Sequence, residues 1–202
     1  MSQTIETAEY IGSDCVKCAF SGGVSFYVRL EYLLTCPPEK VAAGAELTEE
    51  EFSDLMDAAL SYAAERDAVA YLERSEHSRF LLKTKLLKKK HSAASIERAL
   101  DYCEERNWLS DSRFAGAWLR SRAITHIEGR IRLQGELAAR GVSRQVAQEA
   151  LDEFFEAESE EDKCIRAREK LIAQGKEGDA LLRALARKGF SEKIIRKSEK
   201  KQ

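Results

Sequence analysis

No stretch of this chain approaches the roughly 20 consecutive apolar residues a membrane-spanning helix needs, so no membrane partner is expected. The opening residues, MSQTIETAEY, hold neither a basic run nor an apolar one, so no secretory signal is expected there. The expected setting is the reducing cytoplasm, with the 5 cysteines as free thiols. Histidine is scarce: there are 3, and none lies in the first 76 residues. The CxxC at Cys15-Val16-Lys17-Cys18 therefore lacks the second ligand pair of a structural zinc site, with Cys36 as its one nearby candidate. It reads as a chance pair in a strand, and no metal or other cofactor is expected. His77, His91 and His126 fall near helix ends, with no cysteine or carboxylate at ligand spacing, which points to capping and solvent-facing roles. Phosphate loops, Rossmann glycines, nucleophile elbows and zincin helices are all missing, so no enzyme is expected.

Neither sign of charge dominates: 33 basic residues stand against 35 acidic ones. Their distribution is uneven. Residues 1–60 hold 3 basic and 11 acidic residues, and residues 61–202 hold 30 basic and 24 acidic. An acidic front and a mildly basic body are suited to different surfaces.

The strongest signal present is a repeat. Leu82, Leu86, Lys90 and Ser92 recur as Leu133, Leu137, Gly141 and Ser143, and again as Leu181, Leu185, Gly189 and Ser191. Each set places two leucines one helical turn apart, then a helix stop, then a serine able to cap the next helix. A period of about fifty residues marks stacked supersecondary units. Each is too small to bury its own apolar face well, so neighbours complete one another's cores. The middle unit is the clearest: helices are expected from Asp111 to about Ala123, from about Gly129 to Arg140, and after Ser143, with Leu137 buried between the second and third.

Ahead of the repeats, residues 1–9 read as disordered, and Cys15–Phe20 and Val24–Leu30 as a β-hairpin about Ser21-Gly22-Gly23. Residues 35–45, with Pro37 and Pro38, read as a loop. Thr48-Glu49-Glu50-Glu51 is a capping box, and a long helix should follow it, breaking near Ser61 or running on to Arg74. The last residues, 197–202, are expected to fray. Trp108, Phe114 and Trp118 read as one aromatic cluster packing the first two units together. The expected fold is mainly α: elongated tandem three-helix repeats in three units, 51–110, 111–158 and 159–202, behind a small N-terminal β-hairpin module over 1–50.

Basic residues recur on the second helix of each unit: Lys85, Lys88 and Lys89, then Arg130, Arg132 and Arg140, then Arg183, Arg187 and Lys188. A strip repeated in this way is suited to phosphates or to an acidic protein surface. The helix macrodipole alone also favours cations at helix C-termini.

Several segments resemble the RecX family of regulatory proteins. Tyr71-Leu72-Glu73-Arg74-Ser75-Glu76-His77-Ser78, with Leu82 and Lys85-Leu86, is similar to the opening of that family's first repeat. Trp108-Leu109-Ser110-Asp111-Ser112-Arg113-Phe114-Ala115 is similar to its link into the second. Gly129-Arg130-Ile131-Arg132, Glu136-Leu137, Arg140-Gly141-Val142 and Ala150-Leu151 resemble the second repeat itself. The likeness spans about residues 11–195. The family usually has glycine where Lys90 or His91 stands, and an acid where Leu81 stands. The resemblance implies a non-enzymatic partner of the RecA–DNA filament that modulates RecA, most often by inhibition, with weak single- or double-stranded DNA contact of its own. A monomer is expected. The alternative is a stand-alone helical-repeat protein that binds nucleic acid.

Overall fold

The computed structural model describes residues 3–20 and 23–200, the side chain of Lys200 excepted. The chain divides into two compact units: Met1–Ser75 with Leu82–Leu109, and Glu76–Leu81 with Ser110–Gln202.

The first unit opens with a four-stranded antiparallel sheet of order β3-β2-β1-β4. The hairpin is β2, Cys15–Phe20, with β3, Ser25–Arg29. Gly23 has φ of 84°, as a tight turn requires; Ser21 and Gly22 lie outside the described residues. Residues 1–9, expected to be disordered, are corrected by the structure: β1 runs Gln3–Ile11 and pairs with both β2 and the short β4, Glu46–Leu47. Met1 and Ser2 lie outside the described residues. Along β1 only Ile5 is buried and Ala8 half-buried, so the period-two pattern that reveals a strand is almost absent. The pairing of Thr7–Ile11 against Cys15–Ala19 is what makes it one.

Helix α1, Glu49–Leu72, starts in the expected capping box. The Glu51 N–H donates to Thr48 Oγ1 at 3.2 Å, and the Thr48 N–H donates to the Glu51 carboxylate at 2.9 Å. Leu55 and Ala58 meet Ile5, Val16, Cys18, Val28 and Leu47 in one core. A second core joins Ala68 of α1 to Leu82 and Leu86 of α2, Arg79–Lys88, and to Ile96 and Leu100 of α3, Ala93–Glu105.

The second unit holds α4, Asp111–Thr125; α5, Arg130–Ala138; α6, Arg144–Ala157; α7, Glu160–Ala173; α8, Gly178–Arg187; and α9, Glu192–Lys200. Leu133 and Leu137 pack with Phe114, Leu119, Ala147 and Leu151, and Leu181 and Leu185 with Cys164, Leu171 and Phe190. Serine caps recur: the hydroxyls of Ser92, Ser143 and Ser191 accept from the N–H groups of Ser95, Val146 and Ile194. The helix-stop residues Lys90, Gly141 and Gly189 all have positive φ, of 68°, 80° and 89°.

Two further expectations are corrected. Lys197–Lys200 does not fray: it lies in α9, where the fully buried Ser198 donates its hydroxyl to the Ile195 carbonyl at 2.7 Å. Lys201 and Gln202 lie outside the described residues. The aromatic trio is divided between cores: Trp108 packs edge-on against Tyr102, whereas Phe114 and Trp118 belong with Leu133 and Leu137.

Candidate partner-binding surface

The second helices carry their basic residues around the leucine stripe: Lys85, Lys89, Arg130, Arg140 and Lys188 each stand three positions from a stripe leucine and border its face, whereas Lys88, Arg132, Arg183 and Arg187 lie one or two positions from one. What each cation meets differs. In the first unit Lys89 Nζ lies 2.7 Å from Asp67, which also takes His91 Nε2 at 2.8 Å. The Asp67 hydrogen bond holds the Lys89 pKa above its usual value. Lys85 lies over the Tyr71 ring at 4.6 Å. Lys88 is exposed and has no acidic partner among the described residues.

In the second unit the arginines of α5 are compensated locally. Arg130 Nη1 lies 2.6 Å from Asp152, with its guanidinium 5.2 Å from the Phe155 ring centre. Arg140 lies 2.8 Å from Glu136 and 4.6 Å over Trp118. Arg132 Nε lies 2.8 Å from Glu128 and its Nη1 donates to the Arg187 carbonyl at 3.1 Å. Glu128 is buried and also takes Arg122 Nε at 2.8 Å. Burial works against its charge, but the Arg122 hydrogen bonds and the charges of Arg122, Arg132 and His126 outweigh it, so its pKa is lowered. Lys188 Nζ reaches the Ile127 carbonyl at 3.5 Å, while Arg183 and Arg187 are exposed without an acidic partner among the described residues.

The nine cations of the strip are thus of two kinds. Lys88, Arg183 and Arg187 are free for a partner, and most of the others are already engaged in the fold. Of the acids responsible, Asp67 and Asp152 come from other helices, 22 residues away in the chain, and gave no sequence signal, whereas Glu128 stands four residues before Arg132. Glu136 gave a signal, since Glu and Arg four apart share a helix face. Among the described residues no group of three or more His, Cys, Asp or Glu is placed to hold a metal, and no helix is long and apolar enough to cross a membrane. Burial raises the Cys18 thiol pKa to about 11, with the neighbouring Cys15 and Cys36 adding to the rise, which keeps it an inert thiol.

Tandem three-helix units beside a small antiparallel sheet make this a helical-repeat protein. Two family models match within it: "RecX, first three-helix domain" over residues 64–103, and "RecX, second three-helix domain" over 110–151. Regulatory protein RecX of Treponema pallidum (strain Nichols) is 40% identical over 154 residues, covering 76% of this chain and 94% of that one. Regulatory protein RecX of Neisseria meningitidis serogroup C is 35% identical over 124 residues, covering 61% of this chain and 80% of that one. A crystal structure of regulatory protein RecX matches the fold with a TM-score of 0.77 at 18% identity, over 98% of this chain and 99% of that one. The chain belongs to the RecX family.

Proposed function

We propose that this protein is a non-enzymatic regulator that binds the RecA–DNA filament and lowers RecA recombinase and ATPase activity. The 40% identity to a regulatory protein RecX along 94% of that relative's length carries the reading. The repeated basic second helices support it. A filament repeats its own surface, so weak contacts from successive units add through effective concentration. The contact residues proposed are Lys85, Lys88, Lys89, Arg130, Arg132, Arg140, Arg183, Arg187 and Lys188. Lys88, Arg183 and Arg187 lead, because no internal ion pair has to be broken before they meet an acid or a phosphate. We also keep the three repeats at 51–110, 111–158 and 159–202 as the working division.

The test is RecA ATP hydrolysis on single-stranded DNA with and without this protein. A decrease that grows with its concentration supports the reading, and an unchanged rate at saturating protein sinks it. Salt separates it from a stand-alone nucleic-acid binder: a phosphate-dominated complex with DNA alone weakens steeply as salt rises.

A further inference from the structure

β1 is an edge over most of its length. β4 covers only its start, pairing Leu47 with Gln3 and Glu46 with Thr4. The chain before β4 adds one step more: the Ile5 N–H donates to the Ala45 carbonyl at 3.0 Å, and the Gly44 N–H donates to the Ile5 carbonyl at 2.7 Å. From there the register slips, with a bulge between Ile5 and Thr7, and β4 is left behind. The ladder with β2 continues on the other side to Ile11. On the free side Glu6–Ile11 makes no backbone hydrogen bond among the described residues. The opposite edge of the sheet is different. Phe26–Arg29 of β3 is half-buried or buried, with Arg29 held by Glu65 of α1. On β1, Glu6, Thr7, Glu9, Tyr10 and Ile11 are all exposed.

We propose that the Glu6–Ile11 edge is a docking surface for an extended, basic polypeptide segment, which adds to the sheet as a fifth strand. An open row of backbone N–H and C=O groups supplies the ladder, and the side chains alongside supply selectivity. Charge decides the occupant. Glu6 and Glu9 make no ion pair among the described residues. Lys17, directly opposite Glu9 in the ladder, has its ammonium 6.0 Å from the centre of the Tyr27 ring. The field around the edge is acidic, with 11 acidic and 3 basic residues in the first 60. A second copy of the chain is disfavoured: pairing two such edges brings four glutamates into one short ladder, and facing like charges destabilise a sheet. A strand alternating lysine or arginine with β-branched residues meets the same glutamates with opposite charge. Tyr10 and Ile11 are 53% and 46% exposed and offer it apolar contact on both faces. This surface is separate from the basic second helices, and its partner carries the opposite sign, so it stands or falls apart from the action on RecA.

The test uses the full chain at physiological ionic strength and a labelled nine-residue peptide alternating lysine with valine or threonine. One control replaces lysine by glutamate; another is N-methylated on alternate residues, which removes the N–H groups of one peptide edge. The basic peptide is expected to bind and to slow amide exchange along Glu6–Ile11. The N-methylated form should bind about tenfold or more weakly, as loss of about 1.4 kcal/mol or more of ladder bonding implies. The acidic peptide should not bind. The double variant E6K/E9K, changed at exposed positions only, should lose the basic peptide and gain the acidic one. Equal binding of the N-methylated and unmodified peptides would show charge attraction without strand addition and overturn the proposal. So would unchanged binding by E6K/E9K, no binding at all, or self-association of the chain that protects the same amides.

Discussion

Gly189 lies with its backbone against Arg132, so close that a Cβ on the glycine would stand 2.4 Å from both the Cβ and the amide nitrogen of Arg132. This joint closes the start of α5. Gly129, its N-cap residue, has no side chain to satisfy the open N–H groups of the first turn. The end of α8 does so instead: the Lys188 carbonyl accepts from the Gly129 N–H at 2.9 Å and the Gly189 carbonyl from the Ile131 N–H at 3.1 Å. Glu160 completes the set, accepting the Arg130 N–H at 2.8 Å. Gly189 also has φ of 89°, where a side chain is strained. Gly189→Ala should therefore cost more than about 2 kcal/mol in chemical denaturation, from strain and from displacement of backbone. A cost within about 0.5 kcal/mol, the usual range for surface changes, would mean that α8 does not seat on α5.

Lys90 occupies the equivalent stop in the first repeat with φ of 68°. There the strained state is carried by a lysine. Lys90→Gly should be neutral or stabilising by up to about 1 kcal/mol, since relief of left-handed strain is offset by the greater chain entropy of glycine. Paired thermal melts decide it; a clear loss would show that the Lys90 side chain contributes contacts of its own.

Leu137 is fully buried among α4, α5 and α6. Leu137→Ala should cost roughly 2–5 kcal/mol, the transfer loss plus the cavity left behind. A measured cost under about 1 kcal/mol would mean the site collapses freely, unlike the other close-packed leucines of this core.

Asp54 gives acid sensitivity to the first unit. Burial alone would raise its pKa, but N–H groups of Cys36, Thr35 and Leu34 donate to its Oδ2 at 2.9, 2.9 and 2.8 Å, with the Arg98 charge nearby, and its pKa is lowered. A carboxyl with depressed folded-state pKa contributes stability above its unfolded value of about 3.9 and loses it as pH falls through the folded value. Asp54→Asn should thus be less stable than wild type at neutral pH, with the gap closing below about pH 4. A gap independent of pH between about 7 and 3 would assign the effect to shape and not to charge.

For the proposed surface, the clean variant is Lys88→Glu with Arg183→Glu and Arg187→Glu. These side chains are exposed and break no internal ion pair, so the melting temperature should barely move. Each contact is worth only about 0–1 kcal/mol, but their joint reversal should abolish the effect on RecA ATP hydrolysis. A folded triple variant that still acts like wild type would displace the site. Reversal of Arg130, Arg132 and Arg140 is a poorer test, because it also breaks the pairs with Asp152, Glu128 and Glu136.

The helical part of the fold was legible because its determinants are local. A serine hydroxyl two residues beyond a left-handed stop, or leucines one turn apart, act within a few residues, and the repeat displayed them at 82–92, 133–143 and 181–191. The Thr48–Glu51 capping box is local for the same reason. β1 was not legible, because one buried residue and one half-buried residue give no period, and the pairing of its first residues, Gln3 and Thr4, goes to a strand far along the chain. Sequence also located the repeated cations without saying which were free. That depended in part on where Asp67 and Asp152 arrive, and an ion pair across 22 residues leaves no trace in spacing. Helices, caps and family are thus written in the order of residues along the chain. The open edge of β1 and the division of the basic strip arise only on folding, since both are set by contacts between segments distant in the chain.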